Sequence, residues 1–256
     1  MYTIPELPTS IDGVIAQLED IILWSEKNRS RMGYFAALYK RVTVTIKEKI
    51  AAGYFDDNQR MERLDVIFAN RYLKAFYDFQ EGKPCSGSWE IAFKATKKWK
   101  PLVLQHLFGG MNAHIGLDLG IAAATVQPTN IESLKGDFDK INEVLASLVE
   151  EVQNELADIW PLLKPIDTIA GKLDEEIANF AMSIARDAAW EVALTYSQLS
   201  TPESQQEYIV ERDKKVAAFG LKIYKPGWIL SALLFLFRLG ELGNVRSKIG
   251  KLNRET

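Results

Sequence analysis

The sequence has few of the residues that crosslink a chain or bind soft metals. Cys85 is the only cysteine among 256 residues, which excludes an intramolecular disulfide and a cysteine-based zinc site. The first residues lack a basic region followed by an apolar run, so no signal peptide is predicted. Both features are typical of a reducing compartment, and we predict a cytoplasmic protein.

The sequence also lacks a concentrated positive charge. Its formal net charge is -3 and its lysines and arginines are spread along the chain, so we predict no nucleic-acid partner. The densest basic cluster before the C-terminus, residues 94–100 (KATKKWK), is interpreted as a solvated helix end. No nucleophile elbow, phosphate-binding loop or dinucleotide fingerprint is present, which excludes the common enzyme classes that use them.

What the sequence does contain is helical periodicity from end to end. Hydrophobic residues make up 47% of the chain, enough for one large core. We predict one all-α domain over residues 1–256, a bundle of eight or nine helices. The predicted helices cover residues 11–27, 31–52, 57–80, 87–99, 101–126, 131–158, 168–199, 202–221 and 226–251.

The segment 101–126 differs from the other helices because it is apolar on every side. Its only formal charge is Asp118. Such a helix lies either in a membrane or at the centre of a bundle. Gln105, Asn112 and the two histidines would be costly in lipid, so we predict the central helix of a water-soluble bundle. Its four glycines would let other helices approach closely.

Three polar side chains share one ridge of this helix. His106, Gly110, His114 and Asp118 follow one another at intervals of four residues. His114 and Asp118 suit a pair of metal ligands, or a general base with an orienting carboxylate. The alternative is an internal hydrogen bond that satisfies both groups in the core. Asn112 points to the opposite side, where we expect a separate structural hydrogen bond.

Two further acids lie on apolar helix faces, Asp65 on the third helix and Asp187 on the seventh. One interpretation is that they converge with His114 and Asp118 on a divalent metal such as zinc, manganese or iron. The other is that each acid forms a salt bridge with an arginine, the candidates being Arg63, Arg71 and Arg186.

Three phrases resemble an uncharacterised bacterial family that is known only as a domain of unknown function. They are MERLDVIFANRYL (61–73), LQHLFGGMNAHIGLDLGIAA (104–123) and ARDAAW (185–190). The resemblance covers nearly the whole chain and implies no known activity. It does imply that seven residues match the family's motif positions, namely Arg71, His106, Asn112, His114, Asp118, Arg186 and Asp187.

The His-x-x-x-Asp helix is also similar to that of zinc-dependent phospholipase C and its nuclease relatives. Only His114 and Asp118 carry over. That family needs several more histidines and an N-terminal tryptophan ligand, so a trinuclear zinc cluster cannot form here. The resemblance implies at most a carboxylate-rich site for one or two metals.

The C-terminal helix, predicted at 226–251, contains the strongest apolar run, WILSALLFLF (228–237), with basic residues after it. The run is too short to span a bilayer. It could lie on a membrane surface and give the protein a peripheral membrane contact. Packing in the core is favoured, because interfacial helices usually show a wider basic face.

These features predict an enzyme with a buried His/Asp site that acts on a hydrophobic small molecule or lipid-like substrate, as a hydrolase or lyase assisted by a metal or by acid–base groups. His114 would be the ligand or base, with Asp118 as its partner and His106 as a second ligand or acid. Arg71 or Arg186 would hold an anionic group of the substrate. The alternative is a non-catalytic binding or scaffold protein whose buried polar cluster is structural.

Overall fold

The computed structural model describes residues 2–160 and 172–254. Helix α1 spans Ile11–Asn28, α2 Met32–Ala51, α3 Asn58–Gln80 and α4 Gly87–Thr96. The central helix, residues 103–126, consists of α5 (Val103–Ala113), a π-helical segment (His114–Leu119) and α6 (Gly120–Val126). A 3-10 turn, Ile131–Leu134, leads into α7 (Lys135–Ile159). The chain then forms α8 (Lys172–Ser197), α9 (Pro202–Tyr224), α10 (Trp228–Leu239) and α11 (Val245–Leu252).

The prediction of an all-α protein is confirmed. The described residues contain no strand and form ten helices when the central helix is counted as one, against eight or nine predicted. The predicted helix start at 168 lies outside the described residues.

Two N-terminal helices begin close to their predicted starts, and a short polar side chain caps each of them. Ser10 Oγ accepts a hydrogen bond from the backbone N–H of Gly13 at 3.2 Å, which caps α1. Asp57 caps α3 in the same way through the N–H of Arg60 at 2.9 Å. Each cap satisfies a backbone donor that the first helical turn leaves without a partner.

The central helix is buried along nearly its whole length, as predicted. Phe108 and Thr125 are its only exposed residues. Helices α2, α3, α4, α8 and α9 pack around it. In the part of the chain that the structure describes, no helix is both long enough and apolar enough to cross a membrane.

Glycines on the central helix permit this packing. A Cβ atom on Gly110 would lie 2.4 Å from the ring of Phe35 on α2. A Cβ atom on Gly120 would lie 2.5 Å from the carbonyl oxygen of Ala189 and 2.6 Å from Val192 Cβ on α8. The carbonyl oxygen of Ala189 belongs to the backbone, so its contact with a Cβ atom on Gly120 cannot be relieved by a rotamer change.

The prediction of a single C-terminal helix over residues 226–251 is wrong, because two helices form there. The chain turns between α10 and α11, where Gly243 adopts a positive φ of 85° that glycine tolerates best. Core packing holds only for α11, where Ile249 and Leu252 are buried. The apolar run itself forms α10 and is largely exposed, because the turn lets α11 enter the core without it.

We expect Gly120→Ala to lower the free energy of unfolding by about 1–3 kcal/mol, because the new methyl group would displace the backbone of α8. The matched control is Gly136→Ala on α7, where the new Cβ meets only Asp56 at an ordinary 3.5 Å. The control should be neutral or more stable by up to about 1 kcal/mol. Urea unfolding of both variants measures the difference, and equal effects would contradict the assigned contact.

Candidate functional site

Asp118 is the centre of a buried hydrogen-bond cluster that joins three helices. Its Oδ1 accepts a hydrogen bond from Nε of Arg71 on α3 at 2.8 Å. Its Oδ2 accepts one from the indole Nε1 of Trp89 on α4 at 2.8 Å, and lies 3.4 Å from His114 Nδ1. The structure therefore brings Arg71, His114 and Asp118 together and adds a donor, Trp89.

Both His114 and Asp118 lie in the π-helical segment of the central helix. A π-helical turn is rare and is frequently found at functional sites. In this segment helices α3, α8 and α9 contact the central helix, so its widened backbone is held from several sides.

The imidazole of His114 is enclosed by aromatic rings. It stacks on Phe68, with ring centroids 3.5 Å apart and an interplanar angle of 6°. Tyr39 meets it edge-on at 4.5 Å. In the described part of the chain its Nε2 atom is buried and finds no hydrogen-bond partner. Only one of the two ring nitrogens is therefore engaged by the protein.

Burial and charge act in opposite directions on this pair. Burial lowers the pKa of His114, although the neighbouring Asp118 carboxylate raises it. For Asp118, burial would raise the pKa, but Arg71 and the hydrogen bonds from His114 and Trp89 outweigh it and hold the pKa below its usual value. At neutral pH the cluster holds an ionised carboxylate beside a neutral imidazole.

Asp65 is also buried, one turn before Phe68 on α3. Burial, with a contribution from the charge of Glu62, raises the pKa of Asp65 to about 7. Its Oδ2 has no hydrogen-bond partner among the described residues, and no salt bridge to an arginine forms there. Its charge acts on Tyr39, the ring that contacts His114. The carboxyl group therefore lies near the cluster but is not hydrogen-bonded to it.

His106 occupies a separate environment at the start of the central helix. The ring of Phe35 covers Gly110, the residue midway between the two histidines on the ridge, and lies 5.8 Å from the ring of His114. The expected ridge exists, but Phe35 divides it. His106 instead lies near the rings of Tyr34 and Tyr224.

Neither ring nitrogen of His106 has a hydrogen-bond partner within the described chain, although the side chain is buried. Burial, together with the smaller effect of the positive charges of Arg31, Arg238 and Lys248, lowers the pKa of His106 to about 3. The imidazole is thus neutral at physiological pH, with a donor and an acceptor that the described residues leave unused.

A small cavity of about 20 Å³ lies beside His106. His106, Gly110, Phe35, Tyr72 and Trp89 are among its lining residues. The hydroxyl of Tyr72 is buried without a partner as well. The volume suffices for about one water molecule, and the lining supplies unsatisfied polar atoms.

This cavity adjoins a surface cleft of about 350 Å³, since both are lined by Arg31, Met32 and Thr96. Arg31 Nη1 donates a hydrogen bond to the backbone carbonyl of Thr96 at 3.1 Å, and both residues line both spaces. No sequence pattern predicts the cleft, because its walls come from four different helices and their loops.

Arg186 and Asp187 do not join the cluster. Arg186 is buried against α7, where its guanidinium lies 4.3 Å from the ring centroid of Phe138 and donates to that residue's carbonyl. Asp187 is exposed. The expectation that Asp187 faces the central helix is wrong, because in the register of α8 the small residue Ala189 and its neighbour Trp190 take the inward positions.

The four side chains predicted as metal ligands, one histidine and three aspartates, therefore do not come together. They are His114, Asp118, Asp65 and Asp187. Among the residues that the structure describes, no group of three or more His, Cys, Asp or Glu side chains could hold one metal ion. Both oxygens of Asp118 already accept hydrogen bonds. The divalent metal stays a prediction. Asn112, in contrast, makes the separate bond expected of it, to the Val216 carbonyl at 2.9 Å.

We expect the His106→Phe variant to lose part of the pH dependence of stability. Because the pKa of His106 falls from about 6.5 in the unfolded chain to about 3 in the folded protein, its stabilising contribution is complete above pH 6.5 and is lost as the pH falls. Between pH 6 and pH 4 the wild type should lose about 1.4 kcal/mol per pH unit more than the variant. Urea unfolding at several pH values tests this; His114 and Asp65 titrate in both proteins, so parallel pH profiles would contradict it.

Comparison with known proteins gives the chain a family but no activity. The model of a family of unknown function, DUF5995, matches residues 11–226, a span that includes the whole Asp118 cluster and the cavity beside His106. Searches of curated proteins and of solved structures found no match. The chain therefore belongs to the DUF5995 family, whose function is unknown.

Proposed function

We propose that the protein binds a small molecule with an apolar body and an anionic group, and that this molecule enters through the surface cleft and reaches His106. The observation that carries the proposal is the imidazole of His106, which is buried at the wall of a cavity and has no partner for either nitrogen among the described residues. A buried polar group without a hydrogen bond costs about 1–3 kcal/mol. A ligand that bonds to the imidazole would recover this free energy.

The cleft has the size and chemistry expected of a ligand site. Its volume of about 350 Å³ falls within the usual range for small-molecule pockets. Trp24 and Phe79 supply apolar walls, while Arg29, Arg31 and Lys97 supply positive charge, and the described lining residues include no carboxylate. This combination favours an anionic ligand with an aromatic or aliphatic part.

The boundary between cleft and cavity is made of side chains that can move. Arg31 and Met32 have long, flexible side chains, and the hydrogen bond from Arg31 to the Thr96 carbonyl joins two residues that line both spaces. A ligand anion that attracts the guanidinium away from the Thr96 carbonyl would join the two spaces. His106, being neutral, would then offer one donor and one acceptor to a polar group of the ligand.

The ligand class can be tested by thermal shift with carboxylates and phosphate esters of aryl and alkyl groups, each paired with its neutral amide or alcohol. The anionic compounds should raise Tm more than their neutral counterparts. Lys97→Ala and Arg31→Ala should each weaken binding about tenfold or more, because a charge-assisted hydrogen bond contributes about 1.5–3 kcal/mol. The control Lys214→Ala, exposed on α9, should bind normally. Equal binding by neutral analogues, or by His106→Phe, would contradict the proposal.

A second candidate function is acid–base catalysis at His114, of the hydrolase or lyase type. The unpartnered Nε2 of His114 favours it, because Asp118 orients the opposite nitrogen as an acid–base pair requires. A substrate could reach this atom only if Phe68 or Tyr39 moved. The opposing, purely structural role is supported by the three hydrogen bonds that already satisfy Asp118.

We expect His114→Gln to abolish hydrolysis of model esters and phosphodiesters if the wild type shows any, while Lys214→Ala keeps it. Metal content of untagged wild type and His114→Gln should be measured in the same preparations. A near-stoichiometric metal that the variant loses would support a metal-assisted reaction. Activity that survives in His114→Gln would exclude this histidine as the acid–base group, and a variant that unfolds is recognised by circular dichroism and replaced by His114→Asn.

A further inference from the structure

Helix α10 exposes an unusual amount of apolar surface. Trp228 is 83% exposed, Ile229 68%, Leu236 62% and Leu239 63%. Its first charged residue is Arg238, near its end. Soluble proteins rarely leave such a contiguous apolar patch in water, and larger patches mark interaction sites.

The basic segment 97–100 (KKWK) lies directly against this helix. Trp99 is half exposed, and its ring meets Phe235 of α10 edge-on at 5.9 Å. Arg238 Nε donates a hydrogen bond to the Trp99 carbonyl at 2.7 Å. The interpretation of this segment as a solvated helix end is therefore incomplete, since Trp99 extends the apolar surface and the exposed Lys98 and Lys100 flank Trp99 in the sequence.

The stretches of sequence that form and adjoin this surface carry charge of one sign, and two of their lysines pair with acids just outside them, Lys94 with Glu90 and Lys215 with Glu211. Residues 91–117 and 214–240 contain no aspartate or glutamate. The same two stretches carry nine basic residues, which are Lys94, Lys97, Lys98, Lys100, Lys214, Lys215, Lys222, Lys225 and Arg238. The nearest following acid, Glu241, is occupied by Arg238 and by Lys248 at 2.7 and 2.6 Å.

We propose that α10 and Trp99 form a membrane-binding surface that lies on anionic lipid. The apolar side chains of the α10 surface (Trp228, Ile229, Leu233, Leu236, Leu239 and Trp99) enter the boundary between headgroups and acyl chains, and the surrounding lysines contact the lipid phosphates. Tryptophan prefers this boundary because its ring is apolar and its N–H is polar. With 12 residues the helix extends about 18 Å, so it lies in the plane of the surface.

A second copy of the chain fits this surface less well. A twofold symmetric dimer buries the same surface of both copies, so it would bring two basic borders into one interface. Like charges at close range oppose association, whereas an anionic bilayer neutralises all of them. Charge complementarity therefore favours an anionic bilayer over a second copy of the chain.

The test is flotation of the full chain with vesicles of phosphatidylcholine alone or mixed with phosphatidylglycerol. The protein should float with the anionic vesicles, at least tenfold more than with the neutral ones, and less at high salt because the lysines are screened. Leu236→Glu should abolish flotation. Its matched control is Leu23→Glu on α1, which is also about half exposed and should float normally.

Charge reversal separates the basic border from the apolar helix. Lys98→Glu with Lys100→Glu should reduce flotation severalfold, while Lys27→Glu with Lys83→Glu, exposed positions elsewhere, should not. Equal flotation with neutral vesicles, or none with either kind, would overturn the proposal. A dimer in light scattering that Leu236→Glu dissociates, without vesicle binding, would assign the surface to a second copy instead.

Discussion

The buried carboxylate of Asp118 is the constraint on which the centre of the fold depends. An ionised carboxylate in an apolar interior must be compensated, because removing its partners would cost several kcal/mol. Compensation here comes from Arg71 on α3 and Trp89 on α4, so one charge fixes two helices against the central helix. The same contacts determine which nitrogen of His114 faces the carboxylate and which remains unpartnered.

The two histidines, eight residues apart on one ridge, have different chemistry because different neighbours fill the ridge. His114 contacts the Asp118 carboxylate and stacks on the ring of Phe68. His106 instead has positively charged side chains nearby and no hydrogen bond among the described residues. Phe35 separates them by occupying the space that Gly110 leaves. A single glycine thus turns one polar ridge into two environments, one closed and one adjoining the surface cleft.

Local sequence was sufficient for most of the helical architecture. Serine and aspartate caps fixed the starts of α1 and α3, and an uninterrupted apolar composition identified the central helix, since both signals depend only on residues within a few turns. The last predicted helix was wrong. One periodic pattern over 226–251 concealed a turn at Gly243, because periodicity alone does not reveal whether a helix faces the core or solvent.

The sequence by itself determined the helical class, the buried central helix and the pairing of His114 with Asp118, because these follow from composition and from spacing along one helix. Only the tertiary structure decided which other helices supply partners. It placed Trp89 at Asp118, turned Asp187 to solvent and left α10 uncovered beside Trp99. These outcomes depend on the rotation and register of one helix against another, which the packing of the whole core sets and no single segment encodes.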